Sequence, residues 1–292
     1  MKLKVSRSAF AKINLYLDVT GLHPSGKHLI QSVMHRISLC DRVTVVPLEA
    51  REIHIMCRGE FSRGVPVDER NIAYKCAGEF FRVTGTAGGV RIKIEKNIPC
   101  EAGLGGGSAD GAAVLMGLDH LFETGLSREA LCEMGARVGA DIPFCVNGAG
   151  CAHCTGVGDV MEDLPRLRGN VVIAKGTGGV STGEAYSAVD RMGLGEYRED
   201  IRDIFGCGGE LTSALEKAGC YNIFERVTDI PEVSRIKNVM LKNGARFAMM
   251  TGSGSAVFGV VDDKSDGEVI SELLRGMGFW SGCYELLPDI RV

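Results

Sequence analysis

The chain has 292 residues, of which 45% are hydrophobic and 24% charged. This ordinary globular composition excludes disordered, fibrous and disulfide-scaffold classes. With 33 basic and 37 acidic residues the net charge is −4, so no global positive field draws nucleic acid or anionic lipid, and a phosphate ligand needs local positive groups. No apolar run approaches the ~18–20 residues that span a bilayer. The basic start, Met1 to Arg7, leads into alternating residues, not the apolar core of a leader, and the expectation is a cytoplasmic protein. Eleven cysteines scattered from Cys40 to Cys283 fit reduced thiols better than a disulfide framework.

Ala9, Ala11, Ile13, Leu15 and Leu17 alternate along an early strand, which sets Lys12, Asn14 and Tyr16 on its other face. Strands follow at Asp41 to Pro47, Glu52 to Cys57 and Gly89 to Glu95, with a helix over Asn71 to Val83 that Asn71 can cap. Ser108 to Phe122 carries a buried-helix stripe through Ala112, Leu115, Leu118, Leu121 and Phe122. Cys151 to Cys154 reads as strand, which sends the two thiols to opposite faces and argues against a metal or redox pair. Asn170 to Ala174 reads as strand and Thr182 to Val189 as helix. Beyond them, Glu232 to Asn243, Ala245 to Met250, Ala256 to Val261, Ser265 to Met277 and Gly282 to Leu287 read as helix, strand, strand, helix, strand. That order is a split βαβ sandwich, and the whole is an α+β chain of two domains.

Glycine is in excess at 40 residues, and the densest run is informative. Pro99-Cys100-Glu101-Ala102-Gly103-Leu104-Gly105-Gly106-Gly107-Ser108-Ala109-Asp110 joins a strand to the long helix. Glycines let backbone N–H groups converge on an anion, and the helix start adds partial positive charge, so the loop suits phosphate. It is neither a P-loop, since no Gly-Lys-[Ser/Thr] follows, nor G-x-G-x-x-G, since Ser108 stands where the last glycine belongs. Thr251-Gly252-Ser253-Gly254-Ser255 is a second small-residue loop, between two apolar strands, and alone it reads as a hairpin turn.

Lys12 lies mid-strand, where a lysine calls for water or a negative partner, and Asp141 in Gly139-Ala140-Asp141-Ile142-Pro143 is the candidate. Taken alone, Asp141 reads better as a helix cap; it also suits a carboxylate held ionised by the lysine, and the two roles are compatible. The second arrangement is what phosphoryl transfer to an alcohol needs: a base for the hydroxyl and positive charge for the transferring group.

Four ordered segments together resemble the GHMP kinase superfamily, named for galactokinase, homoserine, mevalonate and phosphomevalonate kinases. They are Ala11-Lys12-Ile13-Asn14-Leu15, Lys96-Asn97-Ile98-Pro99 running into Gly103 to Ser108, Gly139 to Pro143, and Thr251 to Gly254, with Gly26-Lys27-His28 and Val180-Ser181-Thr182 in support. The resemblance implies the two-domain GHMP kinase fold: an ATP-binding N-terminal domain over residues 1–160, like the second domain of ribosomal protein S5, and a ferredoxin-like C-terminal domain over residues 161–292. It implies ATP and Mg2+ as cofactors, with Asp141 as base and Lys12 orienting it. Pro99, Gly103, Leu104, Gly105, Gly106, Gly107, Ser108 and Ala109 would hold the phosphates, and Asn71 and Lys96 would lie near the adenosine. The implied substrate is a small alcohol bearing a cytidine diphosphate group, with Asn14 and His28 at its cytidine end and Thr182 and Gly252 lining the cleft. Lys27 stands where the family has a tyrosine, and Tyr186 is a possible aromatic substitute. The magnesium ligands stay open, and the assembly expected is a monomer or homodimer. Other readings are a kinase for another alcohol, such as homoserine or mevalonate, and a non-catalytic nucleotide- or RNA-binding module.

Overall fold

The computed structural model describes residues 3–179 and 181–290, so Val180 of the Val180-Ser181-Thr182 segment lies outside the described residues. The first half runs β1 (Val5–Leu22), β2 (His28–Leu48), β3 (Ile53–Arg58), α1 (Ile72–Thr84), β4 (Gly89–Glu95), α2 (Gly106–Phe122), α3 (Arg128–Val138), α4 (Ile142–Asn147), β5 (Cys151–Thr155) and β6 (Val160–Leu164). The second half runs β7 (Leu167–Arg168), β8 (Asn170–Lys175), α5 (Thr182–Met192), α6 (Asp200–Gly206), β9 (Gly209–Glu210), α7 (Leu211–Ala218), β10 (Tyr221–Asn222), a 3-10 turn (Ile223–Arg226), α8 (Pro231–Lys242), β11 (Phe247–Met250), β12 (Val257–Val261), α9 (Lys264–Gly276) and β13 (Trp280–Glu285).

The first sheet is ordered β10-β1-β2-β4-β3, and β5 pairs with β2 and carries β6. α1 and α2 cover one face, where Phe80, Leu115, Leu118 and Leu121 pack on Val43, Val45 and Ile92. The second sheet is ordered β11-β12-β8-β13, with every pairing antiparallel. In chain order this is the ferredoxin-like split βαβ, with α8 and α9 as its two helices and α5 to α7 inserted after its first strand. Ala11, Ile13, Leu15, Val33 and Ile37 of the first sheet meet Val171, Ile173, Phe258 and Val260 of the second in one core. That shared core fixes how the halves face each other.

Two sequence expectations change here. The strand expected over Asp41 to Pro47 is the last third of β2, which runs 21 residues. Its earlier part is flanked by β1 and β5 and buries Gln31, Ser32, His35 and Arg36, so the alternation that marks a half-exposed strand is lost. Tyr16 does not share the face of Lys12 and Asn14. The register shifts between Asn14 and Tyr16, leaving Leu15 as the extra residue of a bulge. Tyr16 accordingly turns with Leu15 into the core between the sheets, while Leu17 reaches the cleft.

Candidate active site

A cleft of about 800 Å³ opens between the halves. One wall is the glycine loop. Lys12 N donates to Leu104 O (3.0 Å), and Ala256 N donates to Ala102 O (3.2 Å), so the loop is clamped between β1 and the 251–255 turn. Gly103 sits at φ +72°, and a Cβ there would lie 2.0 Å from Thr251 O. Only glycine allows the two loops to touch. Gly105 (φ 69°) immediately precedes α2, no side chain caps that helix, and the first turn, Gly106-Gly107-Ser108, lines the cleft. The helix starts two residues earlier than its apolar stripe indicates, because glycines carry no stripe.

Beside the loop, where the Lys12 stem packs against Gly105, Lys12 Nζ lies 3.6 Å from Asp141 Oδ2 and donates to Asn14 Oδ1 at 2.7 Å. Asn14 Nδ2 donates to Ser32 Oγ (2.8 Å), whose hydroxyl donates to Tyr16 O, and Asn14 N donates to Thr251 Oγ1 (2.9 Å). Both ends of the Asn14 amide are thereby engaged, and the lysine is aimed. Asp141 precedes α4 and its carbonyl accepts from Cys145 N (3.3 Å), but its side chain makes no capping bond, so the carboxylate is not used as a cap and lines the cleft beside Lys12.

Lys96 is 3% exposed, and its ammonium donates to Asp41 and, at 2.7 Å, to Asp110 Oδ2. Asp41 Oδ1 also accepts from Asn97 N (2.5 Å) and Ile98 N (2.8 Å), which fastens the chain entering the glycine loop. Burial, and Asp41 beside it, push Asp110 well above the usual carboxylate range, against the pull of Lys96. Asp41 and Asp110 escape sequence reading because they stand 55 and 14 residues from the lysine they share.

The remaining expected positions divide. Asn71, Pro99, Thr182 and Gly252 line the cleft. Asn71 caps α1 by accepting from Ala73 N (2.9 Å), and Thr182 Oγ1 meets Ser253 Oγ at 3.1 Å. Ala109 turns away into the core under the first sheet, as the helical step after Ser108 requires. His28 pairs with Asp190 (2.8 Å) and stacks on Tyr186, with ring centroids 4.5 Å apart, and it is Tyr186 that lines the cleft. Lys27 is exposed. Arg70 and Phe224 line the cleft with no mark in the sequence.

A ferredoxin-like half joined to a sheet whose glycine loop faces a lysine and an aspartate defines a small-molecule kinase of the GHMP type. The comparisons agree. Residues 71–149 match the family model described as GHMP kinases N terminal domain, and residues 210–277 match GHMP kinases C terminal. The 4-diphosphocytidyl-2-C-methyl-D-erythritol kinase of Desulfitobacterium hafniense is 39% identical over 279 residues, 93% of this chain and 92% of that protein. The Bacillus subtilis protein of the same name is 39% identical over 279 residues, 94% of each chain. The crystal structure of a 4-(cytidine 5'-diphospho)-2C-methyl-D-erythritol kinase superposes with a TM-score of 0.79 at 31% identity, covering 96% of this chain and 99% of that one. Homoserine kinase from Cytophaga hutchinsonii shares the fold, with a TM-score of 0.71 at 16% identity. The chain belongs to the 4-diphosphocytidyl-2-C-methyl-D-erythritol kinase family of GHMP kinases and is an ATP-dependent phosphotransferase.

Proposed function

We propose that this protein transfers the γ-phosphoryl group of ATP to the 2-hydroxyl of 4-diphosphocytidyl-2-C-methyl-D-erythritol, a step of the non-mevalonate route to isoprenoid precursors. The observation that carries the reading is the pairing of Lys12 with Asp141 beside an uncapped, glycine-built helix start, with the Lys12 stem against Gly105. Gly103 to Ser108 hold the phosphates through backbone N–H groups, and the positive end of α2 stabilises their charge. Asn71 and Lys96 flank the adenosine, the lysine through its stem because its ammonium is engaged by two carboxylates. Asp141 takes the proton of the 2-hydroxyl as its oxygen attacks the γ-phosphorus and ADP leaves. Lys12, 3.6 Å from that carboxylate, orients it and offsets charge on the transferring group.

A magnesium ion accompanying ATP would supply positive charge to the transferring phosphoryl group. Among the described residues no group of three or more His, Cys, Asp or Glu is placed to hold a metal ion. This fits a cation that arrives on ATP and takes only one or two protein oxygens, and the Ser108 hydroxyl, which lines the cleft, would supply one. Tyr186, steadied by His28, gives the cytosine a ring to lie on, and Thr182 and Gly252 close the site from the second half. Purified protein with ATP and Mg2+ is expected to form ADP and phosphorylated product one for one with the cytidine substrate, and not with homoserine or mevalonate. Turnover of either of those alcohols in its place would overturn the assignment.

A further inference from the structure

A second cavity, of about 590 Å³, opens on the Ala109 side of α2, away from the glycine loop. Arg7, Arg36 and Arg128 line it, and Asp119 is the one carboxylate among its lining residues. Asp119 Oδ1 already accepts from the Thr124 hydroxyl (2.7 Å) and from Leu126 N (2.9 Å). Arg7 Nε is buried with no hydrogen-bond partner among the described residues, and burial pushes the Arg7 guanidinium down from its usual range. Arg36 is 3% exposed and held in place by donating to the carbonyls of Phe144 (3.2 Å), Cys145 (3.3 Å) and Ala149 (3.4 Å). Arg128 Nη1 donates to Asn147 O at 2.7 Å. Asp289, next to the lining residue Ile290, also acts on Arg36, so three guanidinium groups, two of them held by carbonyls, stand against two carboxylates and leave positive charge in a partly desolvated space, which an anion would neutralise. Met116, Leu126, Leu131 and Ile290 form an apolar wall beside them.

We propose that this cavity is a binding site, separate from the cleft, for a small phosphate monoester carrying a short apolar group: phosphate on the arginines, hydrocarbon on the Met116 wall. The site adjoins the reacting pair. Arg36 is the cross-strand partner of Lys12, and two of the carbonyls it holds, those of Phe144 and Cys145, belong to α4, which Asp141 immediately precedes.

The probe is n-butyl phosphate, titrated calorimetrically into full-length protein saturated with Mg2+ and a non-hydrolysable ATP analogue. The analogue's own titration is read first and reports on the cleft alone. Saturable binding of n-butyl phosphate to the analogue-loaded protein is expected. Replacing both Arg7→Gln and Arg128→Gln should weaken it by ~10-fold or more, the loss of charged hydrogen bonds, with analogue affinity unchanged. Inorganic phosphate and butyrate should each bind more weakly, since each lacks one half of the ligand. If the double variant no longer binds the analogue and so has not folded, Met116→Trp replaces it, and this must weaken n-butyl phosphate more than inorganic phosphate. No saturable binding at ~10 mM, well above a millimolar dissociation constant, or binding that ignores these substitutions, overturns the proposal.

Discussion

Asp141 stands at the head of α4 with one carboxylate oxygen 3.6 Å from Lys12 Nζ and with no side-chain bond to the helix it introduces. A helix start and a charge partner from the first strand, 129 positions away in sequence, meet in the cleft that the glycine loop also lines. Asp141→Asn keeps size and polarity and removes the base. Turnover is expected to fall by ~10²–10⁴-fold, with the affinity for an ATP analogue unchanged, read by single-turnover kinetics beside equilibrium binding.

Lys96 is a structural cation as much as a ligand-side one. Lys96→Met leaves Asp41 and Asp110 buried face to face without their shared partner. Breaking a buried ion network in this way costs about 3–5 kcal/mol, measured by urea unfolding. Adding Asp110→Asn removes one of the two opposed carboxylates, and the double variant should regain part of that loss.

Gly103→Ala tests the contact between loops. The new methyl meets Thr251 O at 2.0 Å with φ at +72°, so the glycine loop must part from the 251–255 turn. A loss of about 2 kcal/mol or more in stability is expected, together with weaker ATP-analogue binding. By contrast, Gly64→Ala, at φ +81° with open space around it, carries only the backbone penalty.

Tyr186→Ala removes the ring that His28 stacks against at the proposed cytidine end. Stacking on a base contributes about 1–3 kcal/mol, so KM for the cytidine substrate should rise by ~10-fold or more while kcat changes little. Equal losses in KM and kcat would instead place Tyr186 in the support of the reacting pair.

His35 makes acid stability predictable. Its Nε2 accepts from Leu167 N (3.4 Å), so the proton sits on Nδ1 and donates to Arg36 O (2.9 Å). Burial lowers its pKa from 6.5 to about 4. The unfolded chain therefore binds a proton that the folded chain refuses, and stability falls as pH drops below the unfolded value, by about 3 kcal/mol once pH 4 is passed. His35→Gln should flatten this limb of a stability-against-pH curve between pH 7 and 4.

Periodicity and glycine spacing determined a good deal on their own. The alternation of Ala11, Ile13 and Leu15, the stripe of α2 and the ordered strands and helices after Glu232 are local patterns, and the glycine run betrays a backbone that must be approached closely. Other features were decided only by tertiary contact. The bulge at Leu15 that turns Tyr16 into the core depends on a register shift against β2. The full length of β2 is hidden because a strand buried on both sides can hold histidine and arginine once other elements satisfy them. Asp41, Asp110 and Lys96 converge through chain closure, and so do the three arginines around the second cavity. Charge pairing acts through space, over a few ångströms, and sequence distance carries no trace of it.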